Sequence, residues 1–358
     1  MKVLLVGNYL IDRQESMLRF ADSLLEGLKA EGVEAEIIRP EPVFGKLKPG
    51  AGGLGKWLGY LDKFLLFPFV LRRHAARYDL VHICDHSNAH YTAYLQQIAH
   101  LVTCNDLLAV RSARGEFPQN PTRGTGRLLQ RLILGGLNRA KAITCISEAT
   151  RRDVLRLTTQ TAQSVGMTYM GLNYPYSPSP SPERAKDRYL IHVGGDQWYK
   201  NRPGVLAIYE QLRSIQSKLS PPRLIMVGPP LSEIPEGVEC LSEVSNQDLC
   251  KLYSNAELLL FPSLEEGFGW PIIEAQACGC RVVTTRKAPM TEIGGDSPFY
   301  LDNPSNAPAS ARVVAEALTE PLEVRKRRVG EGIANAARFS TEKMVRQYIA
   351  IYRELSAQ

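Results

Sequence analysis

Three carboxylates and a glycine-bearing turn stand close together within Ala256 to Thr285. Glu265 and Glu266 lie in a turn-rich loop, Pro262 to Gly269, and Glu274 follows in the next segment. Carboxylates accept pairs of hydroxyl protons well. Gly267 and Gly269 let backbone N–H groups come close to a ligand. Pro271 marks the start of a helix and Gly279 its stop, with Glu274 expected in the first turn. The entrance of such a helix exposes N–H groups and about half a positive charge, which makes it an anion site. A second constellation follows Tyr78 to Cys84: Asp85, His86 and His90, with His82 inside the apolar run. Imidazole there could donate to a hydroxyl or move a proton. Hydrogen-bonded loop histidines are the plainer reading, and a metal site would need several ligands in the right geometry.

The elements that position these residues are legible as alternating short apolar runs and helical periods. Lys2 to Val6 reads as a buried strand that turns off through Gly7, Asn8 and Tyr9. Glu15 to Ala30 has helical spacing, Gly32 ends it, and Val33 to Ile38 is a second strand. This is a Rossmann-like opening, but the dinucleotide glycine fingerprint is missing, so an NAD enzyme is disfavoured. Residues 45–55 are glycine-rich without a P-loop ending and read as a surface loop. Lys56 to Arg77 is apolar with basic neighbours Lys63, Arg72 and Arg73, and Pro68 is expected to interrupt it. Core packing and contact with a bilayer both account for that pattern. Leu101 to Cys104 with Asn105-Asp106, Ala142 to Ile146 with Ser147, and Val165 to Met170 continue the first sheet. Alternating Pro and Ser in Tyr174 to Asp187 predict an extended linker. Strands are then expected at Tyr189 to Val193, Arg223 to Val227, Val238 to Leu241 and Glu257 to Phe261. Helices are expected at Leu206 to Ile215, Asn246 to Tyr253, Ala309 to Thr319 and Thr341 to Leu355. The result is an α/β chain whose second half repeats the architecture of the first.

Composition narrows the function. At 358 residues, two domains are more natural than one. A net charge of +6 suits anionic small molecules or an anionic membrane surface. Aromatic residues make up only 8%, with no basic stripe interleaved with aromatics, which argues against nucleic acid. Seven cysteines without paired CxxC spacing point to free thiols in a reducing compartment. The start of the chain is too short in apolar residues for a signal segment, and no apolar stretch is long enough to span a membrane.

The segment Pro262 to Ala275 resembles the donor-site signature of glycosyltransferase family 4, with Glu266 and Glu274 at its two glutamates. Val193-Gly194 with Lys200-Asn201 resembles the family's phosphate-binding turn, Val227-Gly228 its glycine strand end, and Met290 to Gly295 the region after the signature. The resemblance covers nearly the whole chain. It implies the GT-B fold: two Rossmann-like domains with parallel sheets facing across a central cleft. Residues 1–175 plus 341–358 would form an acceptor domain, 188–340 a nucleotide-sugar domain, and 174–187 the linker. It implies retaining transfer from a UDP- or GDP-sugar to an acceptor hydroxyl, in glycan, polysaccharide or glycolipid synthesis. The free thiols and the apolar, basic Lys56 to Arg77 stretch, for their part, suit a cytoplasmic protein able to sit peripherally at the inner face of the membrane. Glu266, Lys200 and His86 would be catalytic. Gly194, Gly195, Asn201, Gly228, Gly267, Phe268, Gly269 and Glu274 would bind the donor, Glu274 through its ribose. Asp85, His90 and Asn8 are the acceptor-side candidates.

The partners implied are the donor and a sugar or lipid-linked acceptor, with no oligomeric state indicated. No cofactor and no metal are expected, since Lys200 and a helix terminus can take up the leaving charge and no DxD signature occurs. Two departures stand out. Gly195 occupies a place where the family usually has an arginine, leaving Arg202, Arg286 or Lys287 to replace it, and Asn105 stands where a histidine is common. The alternatives are a non-catalytic nucleotide-sugar binding protein and another GT-B enzyme, such as a sugar-nucleotide epimerase.

Overall fold

Strands with apolar residues on both faces need helices on both sides, and this requirement organises both halves of the chain. The computed structural model describes residues 1–48, 53–179, 188–215 and 222–357. The chain divides into two compact units, Met1–Asn173 with Ser340–Gln358, and Tyr174–Phe339.

The first unit holds β1 (Lys2–Val6), β2 (Glu34–Ile38), β3 (Leu80–Ile83), β4 (Ala99–Cys104), β5 (Ala142–Cys145) and β6 (Val165–Met167). They form a parallel sheet in the order β2-β1-β3-β4-β5-β6. The second unit holds β7 (Tyr189–Val193), β8 (Arg223–Val227), β9 (Val238–Leu241), β10 (Leu258–Phe261), β11 (Arg281–Thr285) and β12 (Phe299–Leu301). Its parallel order is β12-β11-β10-β7-β8-β9. In each sheet the direction of strand addition reverses once, between β1 and β3 and between β7 and β10. Ligands of open α/β sheets collect at the carboxyl ends of the strands that flank such a reversal. Asn8 and Asp85 follow the first pair; Gly194 and the loop carrying Glu266 follow the second.

The last helix, Thr341–Ser356, is capped by Ser340 and belongs to the first unit. Tyr348 and Tyr352 bring it onto the sheet. Tyr352 Oη lies 2.6 Å from His82 Nδ1, His82 Nε2 lies 2.7 Å from Thr103 Oγ1, and Thr103 Oγ1 lies 2.9 Å from Tyr348 Oη. His82 is fully buried in β3, and burial pushes its imidazole down to about 3. It is a structural histidine.

Three features differ from what local sequence rules suggest. Pro68 does not interrupt its helix. The helical path runs from Gly53–Leu61 through a π segment, Asp62–Leu66, into Phe67–Ala75. The wider π turn just before Pro68 relieves the clash between its ring and the carbonyl four residues back. The Pro/Ser tract is packed at its beginning: Tyr176 Oη reaches Asn246 at 3.5 Å and Ser179 N–H donates to Ser254 Oγ at 3.0 Å. The rest of that tract, 180–187, lies outside the described residues, as do 49–52 of the glycine-rich stretch, whose start forms a 3-10 turn at Gly45–Leu47. Glu274 falls in the second turn of its helix, because the helix begins at Trp270 and runs to Ala277.

His82 and the equally buried His192, which burial pushes down to about 4, are neutral in the folded state. Below about pH 6.5 the unfolded chain takes up protons at these sites and the native chain does not, so stability falls by up to about 1.4 kcal/mol per pH unit for each. Thermal midpoints are therefore expected to drop as pH is lowered from about 6.5 towards about 4, and His82→Gln should flatten that slope while lowering the midpoint at neutral pH. A His82→Gln profile parallel to the wild type would refute the assignment.

Candidate functional site

In the second unit, the site is built where β7 and β10 end side by side. The Trp198–Lys200 turn follows β7, and Asn201 closes it in the left-handed region at φ 54°. Asn201 Nδ2 donates to the Pro262 carbonyl at 2.9 Å, and Leu264 N–H donates to the Tyr199 carbonyl at 2.8 Å. These two bonds tie the turn to the loop after β10. The consequence is that Lys200 Nζ donates to Glu266 Oε1 at 2.8 Å and Oε2 at 3.0 Å, across 66 residues of sequence. Lys200 also lies over the Phe261 ring, 5.3 Å from its centroid. Both partners of the ion pair are largely shielded from water, so each depends on the other for its charge to be stabilised.

The glycines serve close approach. Gly194 N–H donates to the Val227 carbonyl at 3.0 Å. At Gly228, with φ 151°, a Cβ would lie 2.2 Å from the Gly194 carbonyl oxygen. Gly195 sits next in the turn, partly exposed. Gly267 is partly exposed in the loop, and Gly269, at φ 107°, precedes the Trp270–Ala277 helix. Phe268 buries its ring, edge-on to Phe339 at 5.7 Å. Glu274 is buried, and its Oε2 accepts a hydrogen bond from Tyr253 Oη at 3.1 Å. Tyr253 comes from the Asn246–Asn255 helix, and its partnership with Glu274 is not signalled by the sequence.

The candidates for the family arginine are distributed unequally. Arg202 is buried, and its guanidinium is engaged by Asp196 and by the Pro229 carbonyl at 2.5 Å. Arg286 pairs with Asp302 at 2.6 Å at an exposed position. Lys287 pairs with Glu265 and reaches the Leu264 carbonyl at 3.4 Å. Of these, only Lys287 touches the loop that carries Glu266.

In the first unit, Asp85 is the centre. It is buried, and its Oδ2 accepts from Asn8 Nδ2 at 2.7 Å and from Ser87 Oγ. Its Oδ1 accepts from Asn105 Nδ2 at 2.9 Å and lies 3.0 Å from His86 Nδ1, an electrostatic contact without hydrogen-bond alignment. Burial opposes charge on both groups. For Asp85 the nearby His86 and the hydrogen bonds outweigh burial and hold the carboxyl well below its usual range. For His86 the Asp85 charge outweighs burial and raises the imidazole. Asn8, Asp85 and His86 are thus brought together, and Asn105, read as a departure from the family, supplies one of the donors. His90 is not brought to them. Its ring packs on Phe64 and Tyr91, centroids 4.5 and 4.0 Å away, and burial pushes it down to about 4. Among the described residues, no group of three or more His, Cys, Asp or Glu is arranged to hold a metal ion.

Residues 17–163 match the family model described as Glycosyltransferase Family 4, and 187–320 match the one described as Glycosyl transferases group 1. The chain is 27% identical to the O-antigen chain mannosyltransferase B of Escherichia coli, over 66% of this chain and 67% of that protein. It is 31% identical to the MMP alpha-(1->4)-mannosyltransferase of Mycolicibacterium hassiacum, over 34% of this chain and only 30% of that one. Among solved structures, the sucrose-phosphate synthase of Thermosynechococcus elongatus superposes with a TM-score of 0.73 at 19% identity, over 100% of this chain and 99% of that one. Anabaena HepE in complex with UDP-glucose superposes with a TM-score of 0.68 at 16% identity, over 100% of both chains. With most of both units matched by family models and the full length matched by solved folds, the chain belongs to the family 4 glycosyltransferases and has the GT-B fold of two Rossmann-like units.

Proposed function

We propose that this chain transfers a sugar from a nucleoside diphosphate sugar to an acceptor hydroxyl, with retention at the anomeric carbon, in building a glycan, polysaccharide or glycolipid. The observation that carries the reading is the Lys200–Glu266 pair beside the Trp270–Ala277 helix entrance, with Glu274 on that helix. A diphosphate offered to Lys200 competes with Glu266 for its ammonium. Glu266 is then available to accept hydroxyl protons of the donor sugar, and Glu274 those of the ribose. The helix entrance and Lys200 take up the charge that grows on the departing phosphate. In the retaining reaction the acceptor hydroxyl attacks the face that the nucleotide leaves, and the departing phosphate oxygen takes its proton. No enzyme nucleophile is required.

Asp85, His86 and Asn8 form a second hydroxyl-binding cluster in the first unit, with His86 as the donor group. The names of the curated relatives support a mannosyl group as the sugar transferred. Gly195 and the engagement of Arg202 by Asp196 leave Lys200 as the principal cation, an arrangement that would also suit a non-catalytic binder of nucleotide sugars. Turnover separates the two readings.

Glu266→Gln and Lys200→Met are each expected to lower transfer by roughly 100-fold or more, as removal of one transition-state stabilising group does, with thermal unfolding still cooperative. Undiminished turnover in either variant removes its role. Glu274→Gln should act mainly on binding, raising the KM for the nucleotide sugar by about tenfold or more with a smaller loss of kcat. A thermal-shift series with UDP-, GDP- and ADP-sugars reads the same site, because a ligand that binds the folded state raises the midpoint. Transfer should persist in the presence of a chelator, and its abolition would show that the lysine and helix entrance do not suffice.

A further inference from the structure

The helical stretch Gly53–Ala75 has two apolar faces, and the fold uses only one. Phe67, Pro68, Leu71 and Ala75 face inward and are buried. Trp57, Leu61, Leu65 and Phe69, spaced four apart, face outward, with Trp57 56%, Leu65 54% and Phe69 69% exposed. In a regular helix a four-residue spacing drifts around the axis. The π segment Asp62–Leu66 lies within the stripe, and its wider turn draws the later residues back into line. Scattered exposed apolar residues are ordinary, whereas an aligned stripe marks an interaction surface.

The stripe is held rigidly. Asp62, buried at the start of the π segment, accepts hydrogen bonds from Tyr9 Oη at 2.7 Å and from the N–H groups of Phe44 and Gly45 at 2.9 Å each. This pins the 3-10 turn against the helix, and Leu47 of that turn is 76% exposed.

A second helix, Thr125–Arg139, repeats the pattern: Leu128 and Leu132 are exposed, while Ile133, Gly136 and Leu137 are buried. Both helices are anchored on the same short element, His86–Tyr94. Phe64 stacks on His90, and Tyr91 Oη donates to the Lys63 carbonyl at 2.9 Å. From the other helix, Gly136 packs against the Ala89 backbone, and its carbonyl accepts from Thr92 Oγ1 at 2.9 Å.

Charge identifies the occupant. Residues 53–77 carry five lysines and arginines against one carboxylate, Asp62, which is buried; residues 121–141 carry five against none. The whole chain nets only +6, so these two segments together hold more positive charge than the entire molecule. Lys56, Arg72, Arg73, Arg127 and Arg131 are exposed, and among the described residues none of them pairs with a carboxylate. An apolar stripe containing Trp and Phe, flanked by cations of which Lys63 is paired with the exposed Asp12 at 2.8 Å and the others named above are not, matches an anionic lipid surface: rings and leucines enter the headgroup boundary while the free cations meet phosphates. No helix among the described residues is long and apolar enough to cross a membrane, so the fit is to lying on the surface.

We propose that the first unit docks on an anionic lipid bilayer through the outward faces of Gly53–Ala75 and Thr125–Arg139. This does not depend on the proposed transfer reaction. The test is co-sedimentation of the full chain with phosphatidylcholine vesicles, with and without phosphatidylglycerol. Binding is expected only with the anionic lipid and should weaken as salt is raised. Leu65→Glu combined with Phe69→Glu should reduce it at least roughly tenfold, and Arg127→Glu with Arg131→Glu should reduce both the binding and its salt dependence. Midpoints of unfolding and turnover of soluble substrates should be unchanged in these variants, which separates this proposal from the active-site reading. Equal binding by wild type and Leu65→Glu/Phe69→Glu would overturn it. So would a failure to bind vesicles, whether the chain stays monomeric or forms a dimer, by sedimentation velocity, that the same substitutions dissolve.

Discussion

Two hydrogen bonds between loops decide whether this chain has a site at all: Asn201 Nδ2 to the Pro262 carbonyl and Leu264 N–H to the Tyr199 carbonyl. They exist because β7 and β10 are neighbours at the point where strand order reverses, so their following loops emerge side by side. Once the loops are joined, Lys200 and Glu266 pair with each other, and among the described residues neither has another ion-pair partner. A buried charge without its partner is costly, so the pair in turn holds the loops. Backbone geometry and electrostatics therefore support one another. Gly228 belongs to the same constraint. A side chain there would strike the Gly194 carbonyl and displace the turn that follows β7.

The first unit solves the same problem with hydrogen bonds in place of a lysine. Asp85 follows β3 at the other reversal point, and Asn8, Ser87 and Asn105 donate to it. That set keeps the carboxylate ionised in a buried place, and the ionised carboxylate favours a charged His86. The contrast with the other histidines is instructive. His82, His90 and His192 are shielded from water without a carboxylate beside them, and desolvation leaves them neutral. Residue type alone does not separate an imidazole held towards its charged form from a neutral packing one; the neighbouring charge does.

This explains what was legible in the sequence. Short apolar runs bounded by Gly and Pro located the strands, because a strand covered on both faces has to be continuously apolar; Leu258–Phe261 is an example. Gly279 marked a helix end through its own backbone preference. The signature glutamates and Lys200 were visible as residues, but their pairing was not, since it depends on which distant strands become neighbours. The same holds for Tyr253 on Glu274 and Asn105 on Asp85. Pro68 failed in the opposite direction. A local rule predicted a break, and a π turn absorbed the ring.

The outward face of Gly53–Ala75 was ambiguous for a related reason. Its sequence is apolar almost all round, and periodicity cannot tell a core-facing residue from an outward one when both faces are apolar. Burial divides them: Phe67 and Leu71 belong to the core, while Leu65 and Phe69 do not. Cations alone would suit any anion, and apolar side chains alone would suit any hydrophobic surface. Placed together on two helices anchored to one element, they demand a partner that offers anionic groups and hydrocarbon within a few ångströms of each other. The headgroup boundary of an anionic bilayer meets both demands at once, and does so over an area large enough to engage both helices.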